Sequence, residues 1–383
     1  MNIQEIKEML NEIVEYRRDL HKIPEAGLEL PKTKTYVIEK LKSFGLSVKE
    51  FGYGFTVDFG TQPYVAVRAD MDALPISEMN DVPYKSQHPG FMHACGHDAH
   101  TAVLIALAHY LSKHPPKGGV RLIFQPGEEG YFGAADMIDN GVMDGVEIII
   151  GGHVGSISTE GAPEGAVISR KGPFLAAADE FKLKFIGKGG HGSSPHETPD
   201  PIVAAASFVN AVYIHRSREI KQTRPAVITI ARISSGTTHN VIPEEALLQG
   251  TVRTLFDEDR KFIAKRLEEI ANGVAALYRM KADFKYEWGY DSLHNSPEVV
   301  DEISDICKTL NFPFLEIPEP VMGAEDFSYY LRKAPGAFFF VNTANKEKGI
   351  TAPNHSAYFD VDEEKLWIPL AIFIAFLEKH KRL

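Results

Sequence analysis

One segment of the chain is dense in side chains that can bind a metal, and a long apolar run follows it. The segment is Met92-His93-Ala94-Cys95-Gly96-His97-Asp98-Ala99-His100. The alanine-rich run 101–111 that follows predicts a buried helix, and residues 120–124, all apolar but one, predict a strand. That strand ends directly at Gln125-Pro126-Gly127-Glu128-Glu129. Alternation of strands and helices with polar groups in the connecting loops indicates an α/β fold.

Three predicted strands each lead to a carboxylate or an imidazole. Residues 65–68 are followed by Asp70, residues 120–124 by the Glu128-Glu129 pair, and residues 147–150 by Gly151, Gly152 and then His153. In open α/β sheets, sites form outside the carboxyl ends of the strands. We therefore expect these groups to lie near one another.

The middle of the chain has a different pattern. Its predicted strands and helices follow the order β-α-β-β-α-β, which is that of a ferredoxin-like α+β unit. The predicted strands are 179–186, 226–233, 245–252 and 282–288, and the predicted helices are 201–215 and 257–278. We predict that 178–288 is a domain inserted into a catalytic domain formed by 1–177 and 289–383, whose mixed, mostly parallel sheet is flanked by helices.

Bulk properties exclude several classes of protein. A length of 383 residues favours two domains. The net charge of −11 argues against nucleic acid as a partner and gives no attraction to anionic membranes. Residues 1–20 carry charges throughout and predict no targeting signal. Two cysteines indicate no disulfide framework, so we expect a cytoplasmic location.

The side chains at these positions are those that a transition metal prefers. Thiolate and imidazole favour Zn²⁺, and carboxylate oxygen serves as ligand or as base. Cys95, His97, Glu129, His153 and His355 form the candidate ligand set. Because adjacent residues point in different directions, one carboxylate of the Glu128-Glu129 pair can bind metal while the other faces the water as general base.

Other interpretations of the same residues remain open at this point. Cys95 could be a nucleophile with a histidine as base, in which case activity would survive chelators. His93, His100 and His196 are more typical of hydrogen-bonded structural histidines. The glycine-rich stretch 187–192 has the spacing of a dinucleotide fingerprint, but no helix follows it, so we interpret it as a turn that presents His191.

Taken in order, these motifs resemble the M20 family of metal-dependent peptidases and amidohydrolases, in particular its aminoacylase/carboxypeptidase branch and its thermostable archaeal carboxypeptidases. The resemblance spans essentially the whole chain. The matching stretches are Arg17–His21, Arg68–Pro75, His93–Asp98, Gln125–Glu129, Gly189–Gly192, Gly250–Thr254 and Met322–Phe327.

The resemblance implies roles for individual residues. The family's metal ligands fall on the five residues named above, its general base falls on Glu128, and its supporting aspartate falls on Asp70. His191 matches a lid histidine that holds the oxyanion in the partner subunit's site. Asn240 and Arg253 fall at positions that bind the substrate carboxylate. The inserted domain would serve as a lid and dimerisation domain, giving a homodimer or a dimer of dimers.

Two departures from the wider family are visible. Other M20 branches place a histidine ligand where this chain has Arg68, which cannot bind a metal, so Cys95 would compensate. Many relatives have His-His-Pro where this chain has Asn354-His355-Ser356, which leaves His355 as the ligand.

The function expected from the resemblance is hydrolysis of an amide bond next to a free carboxylate, in a peptide or an N-acyl amino acid. One or two divalent ions would assist, with Zn²⁺ expected and Mn²⁺, Co²⁺ or Ni²⁺ as alternatives. The alternative enzyme is a dedicated deacetylase, for example of N-acetyldiaminopimelate. A rival from another class is a metal-binding protein without catalysis, although such a protein has no use for Glu128.

Overall fold

The computed structural model describes residues 2–156 and 162–383. Helices and strands alternate along most of the chain. The helices are α1 Ile3–Glu8, α2 Leu10–His21, α3 Pro31–Ser43, α4 His97–Lys113, α5 Gly133–Asp139, α6 Pro201–Arg218, α7 Asp257–Leu277, α8 Pro297–Leu310, α9 Ser328–Leu331 and α10 Trp367–Lys379. The strands are β1 Lys49–Phe51, β2 Gly54–Phe59, β3 Tyr64–Asp70, β4 Gly119–Gln125, β5 Val146–Gly155, β6 Val167–Ser169, β7 Gly172–Leu175, β8 Ala177–Ile186, β9 Gly190–His191, β10 Ala226–Ser235, β11 Val241–Ile242, β12 Glu245–Thr254, β13 Lys281–Tyr290, β14 Leu293–Asn295, β15 Phe314–Glu316 and β16 Gly336–Asn342.

The chain divides into two compact units. The first comprises Met1–Phe174, His294–Glu319 and Asp326–Leu383, and the second comprises Leu175–Leu293 with Pro320–Glu325. The predicted inserted domain, 178–288, lies within the second unit. In the described part of the chain, no helix is both long enough and apolar enough to cross a membrane.

A mixed sheet forms the centre of the first unit, with the strand order β1-β2-β4-β3-β5-β16-β6-β15. Strands β4, β3, β5 and β16 are parallel, whereas β2 and β6 pair antiparallel at either side. Every residue of β3 and β4 is buried, as is typical of parallel strands covered on both faces. The predicted α/β class with a mixed, mostly parallel sheet flanked by helices is confirmed.

Helix α4 is buried on all sides from His97 to Ala108 and packs against α2, α10 and β3. Its apolar, alanine-rich sequence suits this position, because a helix that is hydrophobic all round belongs inside a domain. Apolar residues recur at helical spacing over 3–22, which predicts one helix at the start of the chain. The structure instead has α1 and α2, separated at Met9.

The second unit contains a four-stranded antiparallel sheet with the order β10-β12-β8-β13. Helices α6 and α7 contact the sheet and each other, and their apolar side chains share one core with those of the strands. In chain order the elements are β8-α6-β10-β12-α7-β13, the succession expected of a ferredoxin-like unit. A short ladder of β9 with β11 lies within this unit.

Candidate metal centre

Neighbouring strands of the first unit bring the predicted site residues to one end of the sheet. Asp70 closes β3 directly opposite Gln125, the last residue of β4. His153 lies inside β5, opposite Phe340, rather than beyond the strand as the sequence suggested. The strand continues because Gly151 and Gly152 leave room for the aromatic rings of Phe327 and Phe339.

Cys95, His97 and His153 form the first group of donor atoms, all within 4.8 Å of one another. The Cys95 Sγ atom lies 3.3 Å from Nε2 of His153. Nδ1 of His153 donates a hydrogen bond of 2.8 Å to the Val154 carbonyl, which leaves Nε2 with its lone pair towards the thiol. All three side chains are buried.

Local backbone geometry sets the spacing of this group. Gly96 adopts φ +88°, and helix α4 begins at the next residue, His97. The left-handed glycine turns the chain between Cys95 and His97, so two residues only two apart can face one point. A side chain at Gly96 would also lie 3.1 Å from Val154.

Glu129 and His355 join Cys95 in a second group of atoms within 4.8 Å. His355 Nε2 lies 3.2 Å from Glu129 Oε1, and the backbone N–H of His355 donates a 2.7 Å hydrogen bond to the Ala94 carbonyl. A third group joins His97 with Glu128 and Glu129, whose nearest oxygens are each 3.9 Å from His97 Nε2. The five predicted ligands are thus linked by overlapping groups.

The residues present fit a bound divalent cation. Both nitrogens of the fully buried His97 make no hydrogen bond. Buried polar atoms of this kind nearly always have a partner. Sulfur, imidazole nitrogen and carboxylate oxygen together form the donor set that Zn²⁺ prefers.

Charge coupling within the cluster perturbs the pKa values. Burial opposes protonation of His97, but Asp70 and Cys95 outweigh it and hold the pKa of His97 well above its usual range. Contacts with Cys95 and Glu129 raise the pKa of His355 to about 10. Burial raises the pKa of Cys95, and nearby Glu129 adds to the effect. Metal binding would therefore release protons from this cluster.

Asp70 is held by the Arg68 guanidinium and by the neutral His100 ring, beside the proposed ligands. Its Oδ2 accepts from Arg68 Nη1 at 2.6 Å, and its Oδ1 lies 2.6 Å from Nδ1 of His100. The Val154 N–H donates to Nε2 of His100, so the proton of that ring resides on Nδ1 and points to Asp70. His97 Nε2 is 3.8 Å from Asp70 Oδ2.

Comparison with protein-family models matches residues 66–379 to Peptidase family M20/M25/M40. The chain belongs to this family. As an M20 member it is a metal-dependent hydrolase of the peptidase and amidohydrolase type. The resemblance drawn from the sequence motifs is confirmed.

Curated relatives of this M20 chain include both peptidases and deacetylases. It is 42% identical over 374 residues to thermostable carboxypeptidase 2 of Saccharolobus solfataricus, covering 94% of this chain and 93% of the relative. It is 32% identical over 376 residues to N-acetyldiaminopimelate deacetylase of Bacillus velezensis, covering 96% and 98%. A crystal structure of a Bacillus subtilis dinuclear metal-binding M20 peptidase matches with a TM-score of 0.80 and 31% identity, covering 97% of this chain and 99% of that one.

The remaining predicted residues of this M20 chain lie in the second unit. His191 is exposed and pairs with Val241 across the β9–β11 ladder, next to Asn240. That ladder continues the pairing of β8 with β12, because the Gly187 N–H donates to the Glu244 carbonyl at 2.8 Å.

Arg253 lies near the opposite end of β12, eight residues from Glu245. At about 3.3 Å per residue, that separation is roughly 26 Å. Within this unit, therefore, Arg253 does not converge with His191 and Asn240.

Two buried aspartates beside the site make contacts that the sequence did not predict. Asp72 is fully buried and binds the backbone of the Glu128-Glu129 turn. Asp326 is also fully buried, and its carboxylate accepts from Arg68 and Gln125. Burial raises the pKa of Asp326 to about 6, against the opposing effect of Arg68. Asp72 lies in the stretch Arg68–Pro75 and Asp326 in the stretch Met322–Phe327. Both stretches resemble the M20 family, and this resemblance is the sequence signal that could have identified the two aspartates.

Proposed function

We propose that this protein is a zinc-dependent carboxypeptidase/aminoacylase that cleaves the amide bond next to a free α-carboxylate. The observation that carries the proposal is the overlap of three donor groups around Cys95, His97 and Glu129, with Glu128 beside them. The identity to a thermostable carboxypeptidase is 42%, against 32% to N-acetyldiaminopimelate deacetylase, and this difference favours the carboxypeptidase substrate class over acetylated metabolites.

We infer that Cys95, His97, Glu129, His153 and His355 hold one or two divalent ions. The thiol and three imidazoles favour Zn²⁺ over harder cations such as Mg²⁺, with Mn²⁺, Co²⁺ or Ni²⁺ as substitutes. A bound ion would polarise the substrate carbonyl and lower the pKa of a nearby water.

Glu128 is the proposed general base. Among the described residues, Glu129 shares a donor group with Cys95 and His355, whereas Glu128 lies outside both groups that contain Cys95. Glu128 is buried, with Oε2 3.9 Å from His97 Nε2. Its carboxylate accepts the proton of the attacking water and returns it to the leaving amine nitrogen.

Chelation followed by metal rescue tests the reaction class. Purified protein is treated with a chelator and assayed with carbobenzoxy amino acids and with N-acetyldiaminopimelate, before and after addition of Zn²⁺. We expect activity to disappear with the chelator, to return with Zn²⁺ and to favour the carbobenzoxy substrates. Activity that survives chelation would support Cys95 as nucleophile, and preference for the acetylated substrate would support the deacetylase.

His191 is proposed to stabilise the oxyanion. The backbone N–H of Ser193 donates to His191 Nδ1 at 3.2 Å, so the neutral ring carries its proton on Nε2. That N–H is available as a donor on an exposed side chain. We propose that Asn240 and Arg253 bind the substrate carboxylate.

Replacing His191 by alanine should lower kcat by about 10²–10³, the usual cost of losing one oxyanion donor. His196→Ala is the matched control, because His196 is an exposed histidine five residues along the same connection. Equal kcat values for the two variants would remove His191 from the mechanism.

The second unit is proposed to act as a lid and to form a homodimer or dimer of dimers. Strand β10 lies at the edge of its sheet, and half of its residues are exposed. Ile233 on that strand is 53% exposed, and Ile214 on α6 is 62% exposed. A long edge strand with exposed apolar residues is a template for pairing with a second copy.

A further inference from the structure

Asp72 makes three contacts that link the base and two ligand positions. Its Oδ1 accepts the backbone N–H of Glu128 at 2.9 Å, and its Oδ2 accepts that of Glu129 at 3.0 Å. The same Oδ1 atom lies 3.5 Å from Nδ1 of His97. The side chain is fully buried, so these contacts are made away from solvent.

Strand register explains why Asp72 reaches this turn. Asp70 is the last residue of β3 and lies opposite Gln125, the last residue of the parallel strand β4, so Asp72, two residues beyond the end of β3, lies beside the turn that follows β4. Gly127 has φ +70°, which turns the next two N–H groups towards one side of the backbone. Successive N–H groups arranged in this way form a concave site for an anion.

We propose that Asp72 is a positioning residue that fixes the Glu128-Glu129 turn against His97. This proposal rests on the proposed function, since it takes Glu128 as base and Glu129 and His97 as ligands. The carboxylate holds the two consecutive residues by their backbone. It therefore sets the directions in which their two side chains diverge.

An uncharged amide at this position cannot make the same contacts. In Asp72→Asn one acceptor oxygen remains, while the new NH₂ group faces a backbone N–H that it cannot bind. The turn must then shift, and His97 faces a neutral group. Residues that hold metal ligands in place contribute about 10–100-fold to metal affinity or activity. Displacement of a reacting group by about 1 Å lowers the rate by about 10²-fold.

The test compares Asp72→Asn with Asp58→Asn in the full-length protein. Asp58 is a matched control, because it is a partly exposed carboxylate on β2 that pairs with Arg121 at 2.6 Å. The Zn²⁺ dissociation constant is measured by competition with a chromogenic chelator. Values of kcat and KM are measured with a carbobenzoxy amino acid at saturating Zn²⁺. For Asp72→Asn we expect Zn²⁺ affinity and kcat each to fall about 10–100-fold, with KM within about twofold and the control unchanged.

Wild-type Zn²⁺ affinity and kcat in folded Asp72→Asn would overturn the proposal, as would equal losses in the control. If Asp72→Asn does not fold, Asp72→Glu decides by the same criteria, since it keeps both acceptor oxygens and the charge. For Asp72→Glu we expect a smaller loss of kcat, again at unchanged KM. The affinity measurement needs no substrate. A wild type that binds Zn²⁺ but hydrolyses no blocked amino acid would therefore count against the proposed function, while the affinities of the variants still decide the role of Asp72.

Discussion

Arg68 occupies the position at which other M20 branches carry a histidine ligand, and the structure shows what it does instead. Its buried guanidinium donates to Asp70 at 2.6 Å, to Gln125 at 2.8 Å and to Asp326 at 2.8 Å. The cation thus organises three neighbouring polar side chains beside the ligands. Cys95 shares a donor group with His97 and His153, and we propose that its thiol takes the place of the missing histidine ligand.

Substitution of each of the two cysteines tests whether Cys95 is a metal ligand, with Cys307 as the matched control. Cys95→Ala removes a donor shared by two of the groups and should lower Zn²⁺ affinity strongly, with less than the wild-type metal content after dialysis. Cys307→Ala removes an equally buried thiol on α8 and should leave the metal content unchanged. Elemental analysis of both proteins checks this. Wild-type stoichiometry and affinity in Cys95→Ala would exclude Cys95 as a ligand.

At the scale of elements, a buried ion cluster connects α2 to the segments that carry two of the proposed ligands, His97 and His355. Arg17 donates to Asp98 at 2.9 Å, next to His97, and to Asp360 at 2.7 Å, five residues after His355. Burial opposes ionisation of Asp98, but Arg17 and His21 hold its pKa far below the usual range. The cluster therefore keeps the start of α4 close to the turn of His355.

Arg17→Met should destabilise the fold by about 3–5 kcal/mol, because it leaves the Asp98 carboxylate buried without its main partner. Arg18→Met is the control, since Arg18 is 44% exposed and pairs with Glu363 at the surface; such pairs contribute about 1 kcal/mol or less. Denaturant unfolding measures both. Similar losses in the two variants would contradict the assignment of Arg17 as the buried anchor.

The sequence predicted the central strands β3, β4 and β5 and the long strands and helices of the second unit, because their apolar runs are long and bounded by turns. It placed the start of α4 at Thr101, four residues late, because His97, Asp98 and His100 look like loop residues. Their polarity is satisfied by contacts made far along the chain, such as that of Asp98 with Arg17. The role of Asp72 was hidden for the same reason, since it acts on backbone N–H groups that no side-chain pattern reveals.

At the scale of the whole molecule, the proposed substrate residues are split within the second unit. Asn240 and His191 lie at one end of its sheet, and Arg253 lies towards the other. If two copies associate through β10 and α6, residues from different copies can contribute to one site. We propose that full activity requires such a dimer.

Ile233→Lys, on the exposed edge, should reduce the mass measured by light scattering from at least twice 42.5 kDa towards 42.5 kDa and should lower kcat. Leu277→Lys is the control, because Leu277 is 71% exposed at the end of α7. A wild type that is monomeric and fully active would rule out the proposed assembly.

The most direct test of the central claim is made on Glu128→Gln. Its bound metal and its kcat are measured on the same preparation, with wild-type protein alongside. We predict unchanged metal content and a fall in kcat of about 10²–10⁴, the usual contribution of a general base. Near wild-type turnover would contradict the account, because a metal centre that hydrolyses amides without Glu128 would require a different base.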